Sequence, residues 1–229
     1  MRMIGMTFIY HYEKPQNALL NVCLCVGVNI NEESKRKVER IENKIHFIVC
    51  RDERELILGF CKIFSKMLPE FIIDYNGSTY DWNWLVNRGM SIKNLLISMA
   101  SYLDLMIPYN FNKRSYDSSF YDITNILKYS YTEEKVKIDA STDAVGKTLK
   151  FFGYICIDVQ TVFRQIYPRE NKYNMNNMLE KNKLGGKKDM PYENIFKTYR
   201  QYEFNNLDVI NDNIIKKYGP PIDVSDMLI

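Results

Sequence analysis

The sequence predicts an α/β fold, a mixed sheet with flanking helices, and three observations carry that expectation. Short runs rich in β-branched and aromatic residues stand at 4–11, 18–28 and 45–50. An apolar stripe at helical spacing follows directly from 56 to 68. Strand-like and helix-like segments then alternate to the end of the chain.

The first two runs, Ile4 to His11 and Ala18 to Val28, are separated by Glu13-Lys14-Pro15-Gln16-Asn17, whose composition is that of a turn, so they form a hairpin. Cys23 and Cys25 are two apart and share a face of the second strand, where packing explains them better than chemistry. The charged stretch 31–44 is a solvated loop or helix face. Ile45 to Cys50 makes a third strand, in which His46 is a strand residue rather than a ligand.

Asp52 with Glu55 forms a capping box, and Leu56, Ile57, Phe60, Cys61, Phe64 and Leu68 line one helix face until Pro69 stops it. Phe71-Ile72-Ile73 is a short buried strand. Helices are expected over 80–88, 92–105, 159–166, 174–182 and 191–217, with one more strand at 155–157. Residues 107–134 are polar, tyrosine-rich and weakly periodic, an insertion or long surface excursion.

Composition bounds the function only loosely. With 229 residues, 46% of them hydrophobic and 14% aromatic, the chain can build a real core. Lysine plus arginine (31) exceeds aspartate plus glutamate (28) by three, which permits a polyanionic partner without requiring one. Five cysteines form an odd set with no CxxC pair and only two histidines to join them, which favours buried thiols in a reducing compartment. The apolar run 18–28 is too short to span a bilayer, and no signal-peptide core follows Met1-Arg2, so a soluble intracellular chain is expected.

The most informative segment is Pro69 to Arg88, and within it Asn76-Gly77-Ser78-Thr79-Tyr80-Asp81. A strand ending at Asn76 and a helix starting near Asp81 put an amide, a phenol and a carboxylate at the carboxyl edge of a sheet, where open α/β folds build their sites. A carboxylate there can bind a hard cation, and Asn76 and Tyr80 can hydrogen-bond and stack on a nucleotide. The plainer alternative is that Asp81 caps the helix and Asn76 serves a turn.

That segment resembles the second exonuclease motif of family B DNA polymerases. Residues 149–168, with Gly153, Asp158 and Phe163-Arg164, are similar to the family's next strand-to-helix unit. Residues 174–192, through Leu184-Gly185-Gly186-Lys187, look like the following helix and loop, most like polymerases of large eukaryotic DNA viruses. Ile4 to Phe8 and Val22 to Cys25 resemble the strands between the first and second motifs.

The resemblance implies a ribonuclease H-like domain, here incomplete, spanning 1–229 as the central part of a 3′→5′ proofreading exonuclease. It implies Asp81 as a ligand of catalytic Mg2+ or Mn2+, with Asn76 and Tyr80 on the single-stranded 3′ end of DNA. The intact parent would also hold primer-template DNA, and the remaining polymerase segments are the partner this chain would need. A viral parent would work at the replication site in host cytoplasm or nucleus.

The family pattern is not complete in these residues. Nucleases of this kind use two divalent ions about 3.5–4 Å apart, which one aspartate cannot hold. No glutamate here stands two positions after an aspartate, so the Asp-x-Glu of the first motif is missing, its place falling just upstream of Met1. The Tyr-x-x-x-Asp of the third motif does not occur in 193–229; the one instance, Tyr154 to Asp158, lies on a strand. Asp158 is therefore a weaker metal candidate, with helix capping its ordinary role. No polymerase palm or Asp-Thr-Asp is present.

Other signals weigh less. Gly185-Gly186-Lys187 lacks phosphate-loop spacing, and Val145-Gly146-Lys147-Thr148 lacks the leading glycine, which is Ser141. Lysines and tyrosines of 107–134 could grip a strand, although a solvated insertion accounts for them. Trp82 and Trp84 are expected core anchors. The rival functions are a degenerate nuclease-like module that binds nucleic acid or protein without catalysis, and a small nuclease in which Asp158 and another carboxylate replace the missing ligands.

Overall fold

The computed structural model describes residues 3–10, 12, 20–26, 45–105, 122–186 and 193. The stretch 31–44, residues 107–121 of the expected excursion and all but Glu193 of the expected 191–217 helix lie outside them. The chain divides into two compact units, Met1–Ile63 with Met190–Ile229, and Phe64–Asp189. Strands and helices are mixed as the sequence predicts, in small sheets.

In the first unit the expected hairpin forms. Strand β1 (Met3–Phe8) pairs antiparallel with β2 (Leu20–Val26), running from Met3 opposite Cys25 to Phe8 opposite Leu20. Strand β3 (Ile45–Cys50) adds parallel to β2, giving a mixed sheet in the order β1-β2-β3. Helix α1 (Glu53–Met67) opens on the expected cap: the Glu55 amide donates to Asp52 Oδ1 at 2.8 Å, and Glu55 Oε2 accepts from the Arg51 amide at 2.7 Å. Leu56, Ile57 and Cys61 are buried, and a Cβ at Gly59 would stand 3.2 Å from Leu24 Cδ2, so a small residue lets the helix approach β2. All five cysteines are free thiols. Burial pushes Cys50 up to about 12, so it stays protonated and serves packing.

The second unit contains the segment of interest. Leu68 adopts a left-handed φ of 45° at the end of α1, just ahead of Pro69. Strand β4 (Phe71–Asp74) then pairs parallel with β7 (Ile155–Asp158), in a register that sets Asp74 opposite Asp158. Helices α2 (Asp81–Ser91) and α3 (Leu95–Leu103) meet where Gly89 lies against Leu96 and Met99, a Cβ there coming within 3.0 Å of the Met99 sulfur. Leu85 and Val86 of α2 are buried, as are Leu95, Leu96, Met99, Ala100 and Leu103 of α3.

Residues 122–134 begin with a short helix α4 (Ile123–Asn125), which passes into a π-helical turn (Ile126–Ser130). Strand β5 (Tyr131–Lys137) follows and forms an antiparallel hairpin with β6 (Asp143–Leu149). Its connection is an Asx turn in which Asp139 Oδ1 accepts from the Ser141 and Thr142 amides at 2.8 and 2.9 Å. The hairpin escapes a reading by apolar alternation because residues 133–137 are all exposed. Helices α5 (Val159–Ile166) and α6 (Met175–Lys181) complete the unit. At its centre the buried Phe151 ring lies 5.7 Å from Trp82, 5.3 Å from Tyr154 and 6.5 Å from Phe64. Trp82 is thus a core anchor, whereas Trp84 is half-buried with the Arg88 guanidinium 5.8 Å above its ring.

Candidate functional site

The expected strand-turn-helix runs from β4 to α2. Asn76 takes a left-handed φ of 63°, which asparagine tolerates better than most residues, and this reverses the chain after Tyr75. Its carbonyl accepts from the Thr79 and Tyr80 amides at 3.2 and 3.1 Å, and Gly77 O accepts from the Trp82 amide at 3.0 Å. Tyr80 occupies the N-cap position without a side-chain capping bond and is 66% exposed. Asp81 is the first helical residue, exposed at the positive end of α2. Asn76, Tyr80 and Asp81 are therefore brought onto one tight turn.

Two other aspartates hold that turn. Asp158, at the end of β7, caps α5 by accepting from the Gln160 amide at 3.0 Å. The same carboxylate accepts from the Asn76 amide at 2.8 Å, the Ser78 amide at 3.4 Å and the Ser78 hydroxyl at 2.6 Å. Asp74, its register partner on β4, accepts from the Gly77 amide at 3.1 Å and the Trp82 indole Nε1 at 2.9 Å. A Cβ at Gly77 would stand 2.3 Å from the Asp74 carboxylate, so any larger residue there must push that carboxylate aside.

The electrostatics follow from this crowding. Burial chiefly pushes the Asp74 carboxyl up to about 6, and the charges of Asp158 and Asp81 add to it, against the opposing bonds from Trp82 and Gly77. Burial, then the Asp158 charge, raises Asp81 as well. The charge of Asp158 thus acts on both Asp74 and Asp81 at the ends of β4 and β7.

For a divalent ion the fit is incomplete. Asp74 and Asp158 spend both oxygens on N–H and O–H donors, and among the described residues no group of three His, Cys, Asp or Glu side chains is placed to hold a metal. Among the described residues no side chain bonds the Asp81 carboxylate, which is engaged by its own amide. A two-ion site needs more ligands than these.

The hairpin supplies neighbours that motif spacing could not reveal. The Lys147 amide donates to Ser78 O at 2.8 Å, joining the outer edge of β6 to the turn. The Tyr131 hydroxyl bonds Asn83 Oδ1, and Lys147 Nζ lies 5.7 Å from the centre of the Tyr131 ring. Asp74 did carry a signal: like Asp158 it ends an apolar strand, and the parallel register of two such strands brings their terminal carboxylates together.

Comparison with known proteins agrees with the motif. The chain is 31% identical over 153 residues to a DNA polymerase beta of African swine fever virus from a Portuguese pig isolate, an alignment covering 66% of this chain and 11% of that protein. The DNA polymerase beta of a Namibian warthog isolate of the same virus is 32% identical over 153 residues, with 66% and 12% covered. The chain thus spans about one-ninth to one-eighth of the length of these viral relatives. The family described as DNA polymerase family B, exonuclease domain, matches residues 2–178, and the chain belongs to that family.

Proposed function

We propose that the chain contributes the central part of a 3′→5′ proofreading exonuclease domain of ribonuclease H-like fold, within a family B DNA-directed DNA polymerase. It binds the single-stranded 3′ end of DNA and does not hydrolyse it alone. The observation that carries this reading is the turn Asn76–Asp81, which holds an exposed phenol and a carboxylate side by side at a sheet edge within the family match. Tyr80 stacks on the terminal base, Asn76 hydrogen-bonds the strand, and Asp81 contributes one ligand to Mg2+ or Mn2+. The other ligands come from carboxylates outside these residues, which contain no Asp-x-Glu. Exposed Phe71, Ile73 and Ile155 on β4 and β7 are apolar surface that further protein would cover, which supports a larger sheet in the parent.

The test is digestion of a 3′-labelled single strand with Mg2+ or Mn2+. The 229-residue chain leaves the strand intact, and co-expression with the remaining polymerase segments produces digestion that Asp81→Ala abolishes. Digestion by the chain alone, lost in Asp81→Ala, overturns the proposed dependence. The engaged oxygens of Asp74 and Asp158 favour a second reading, a nuclease-like module that binds without catalysis. That reading gains if the strand is bound but never cut even with the other segments present.

A further inference from the structure

We infer that Asp158 and Ser78 are positioning residues, the pair that fixes the turn on which Asn76, Tyr80 and Asp81 are presented. The inference rests on the strand-binding reading above and gives Asp158 a task other than metal ligation. Four donors converge on its carboxylate: the Asn76, Ser78 and Gln160 amides and the Ser78 hydroxyl, the last at 2.6 Å. Two of the amides belong to the turn and one to the first turn of α5, so a single side chain ties the end of β7, the start of α5 and the turn after β4 into one arrangement. Bonds to a carboxylate are shorter and stronger than neutral ones, which suits a group that must hold a backbone still.

Ser78 works from both of its ends. Its hydroxyl reaches Asp158, while its carbonyl accepts from Lys147 on β6. A Cβ on Gly146 would come within 2.5 Å of the Ser78 hydroxyl and 2.7 Å of its Cβ, so glycine is what lets β6 lie against the turn. Thus Asp158 holds one side of the turn and the hairpin edge holds the other. Tyr80 and Asp81 follow two and three residues after Ser78, and a shift of the Ser78 backbone moves both.

The experiment compares the full 229-residue chain with Ser78→Ala, Asp158→Asn and the double variant, by amide hydrogen exchange and by anisotropy of a 5′-labelled oligothymidine with a free 3′ end. Exchange at the Asn76 and Ser78 amides is expected to quicken about tenfold in each single variant while amides of α3 are unchanged, the size of one lost bond to a charged group. Strand affinity falls by a similar factor, and the double variant is no worse than the poorer single one. Gly146→Ala, which displaces the same hydroxyl from the other side, weakens affinity in the same direction. Unchanged exchange in both single variants overturns the inference. Faster exchange with unchanged affinity also overturns it, since the pair then serves the fold alone. If the unsubstituted chain binds no strand, the functional reading fails while the exchange data still decide whether the pair fixes the turn.

Discussion

The turn after β4 and the hairpin β5–β6 are both polar, both in the second unit and joined by the Lys147–Ser78 bond, yet they are built in opposite ways. In the turn, Asn76, Gly77, Ser78 and Trp82 each give a hydrogen to one of two carboxylates, and the Trp82 ring is 5% exposed against Phe151. In the hairpin, Glu133 to Lys137 face solvent and the bonds are mainly those of the ladder and its Asx turn. Buried polar groups with fixed partners specify one geometry, whereas a solvated ladder tolerates many sequences.

The largest expected effect that breaks this contrast is at Trp82. Trp82→Ala removes the ring from Phe151 and the indole donor from Asp74, at a cost of about 3–5 kcal/mol, measurable by chemical denaturation. A cost near that of an exposed substitution would mean the turn is no better anchored than the hairpin.

Acidity provides the next comparison. Folded Asp74 takes up its proton near pH 6, above its ordinary 3.8, so between those values the folded chain holds more protons than the unfolded one. Stability from this group is therefore greatest below about pH 4, falls as pH rises and reaches its full deficit above about pH 6. Allowing for solvent screening of a partly exposed group, the change is about 1–2 kcal/mol. The shift at Asp81 has the same sign. Asp139 in the hairpin is opposite: the Ser141 amide holds its carboxyl below 3.8, and its contribution is lost only as pH falls beneath that value. Unfolding midpoints at pH 5 and 7 should differ in this direction for the unsubstituted chain, and Asp74→Asn should flatten the difference.

The smallest effect belongs to the hairpin itself. Val145 is 50% exposed on β6, and Val145→Thr should alter stability by less than about 0.5 kcal/mol in the same denaturation assay. A larger loss would show that this face is covered in solution.

The same contrast explains what could be read in the residues. The Asp52 cap and the helix behind it are local signals that the structure has, although Glu55 reaches back to the Arg51 amide instead of that of Asp52, and Leu68, expected on the apolar stripe, lies exposed beyond the helix end at Met67. The turn and α2 were legible because asparagine, glycine and aspartate at those spacings have few alternatives. Strand β4 stands where expected, but Phe71 and Ile73 are exposed where a buried strand was expected and only Ile72 turns inward. The hairpin was not, since an exposed ladder of Tyr-Thr-Glu-Glu-Lys-Val-Lys carries no apolar alternation. Trp84 departs from the expected core position for a related cause: its ring is half-buried under Arg88, and a sequence cannot say which of two nearby tryptophans turns inward.

By itself the sequence determined the family, the α/β class and the turn that presents Asn76, Tyr80 and Asp81, because each depends on residues close together in the chain. Helix capping by Asp158 was among the sequence's expectations, but only the tertiary structure decided that the same carboxylate also holds the turn after β4. Three of the four bonds to Asp158 come from Asn76 and Ser78, about eighty positions away across a parallel strand pair, and no local pattern reports a register that brings two strand ends together. The register made Asp158, a candidate ligand, an acceptor of four hydrogen bonds and placed Asp74 opposite it.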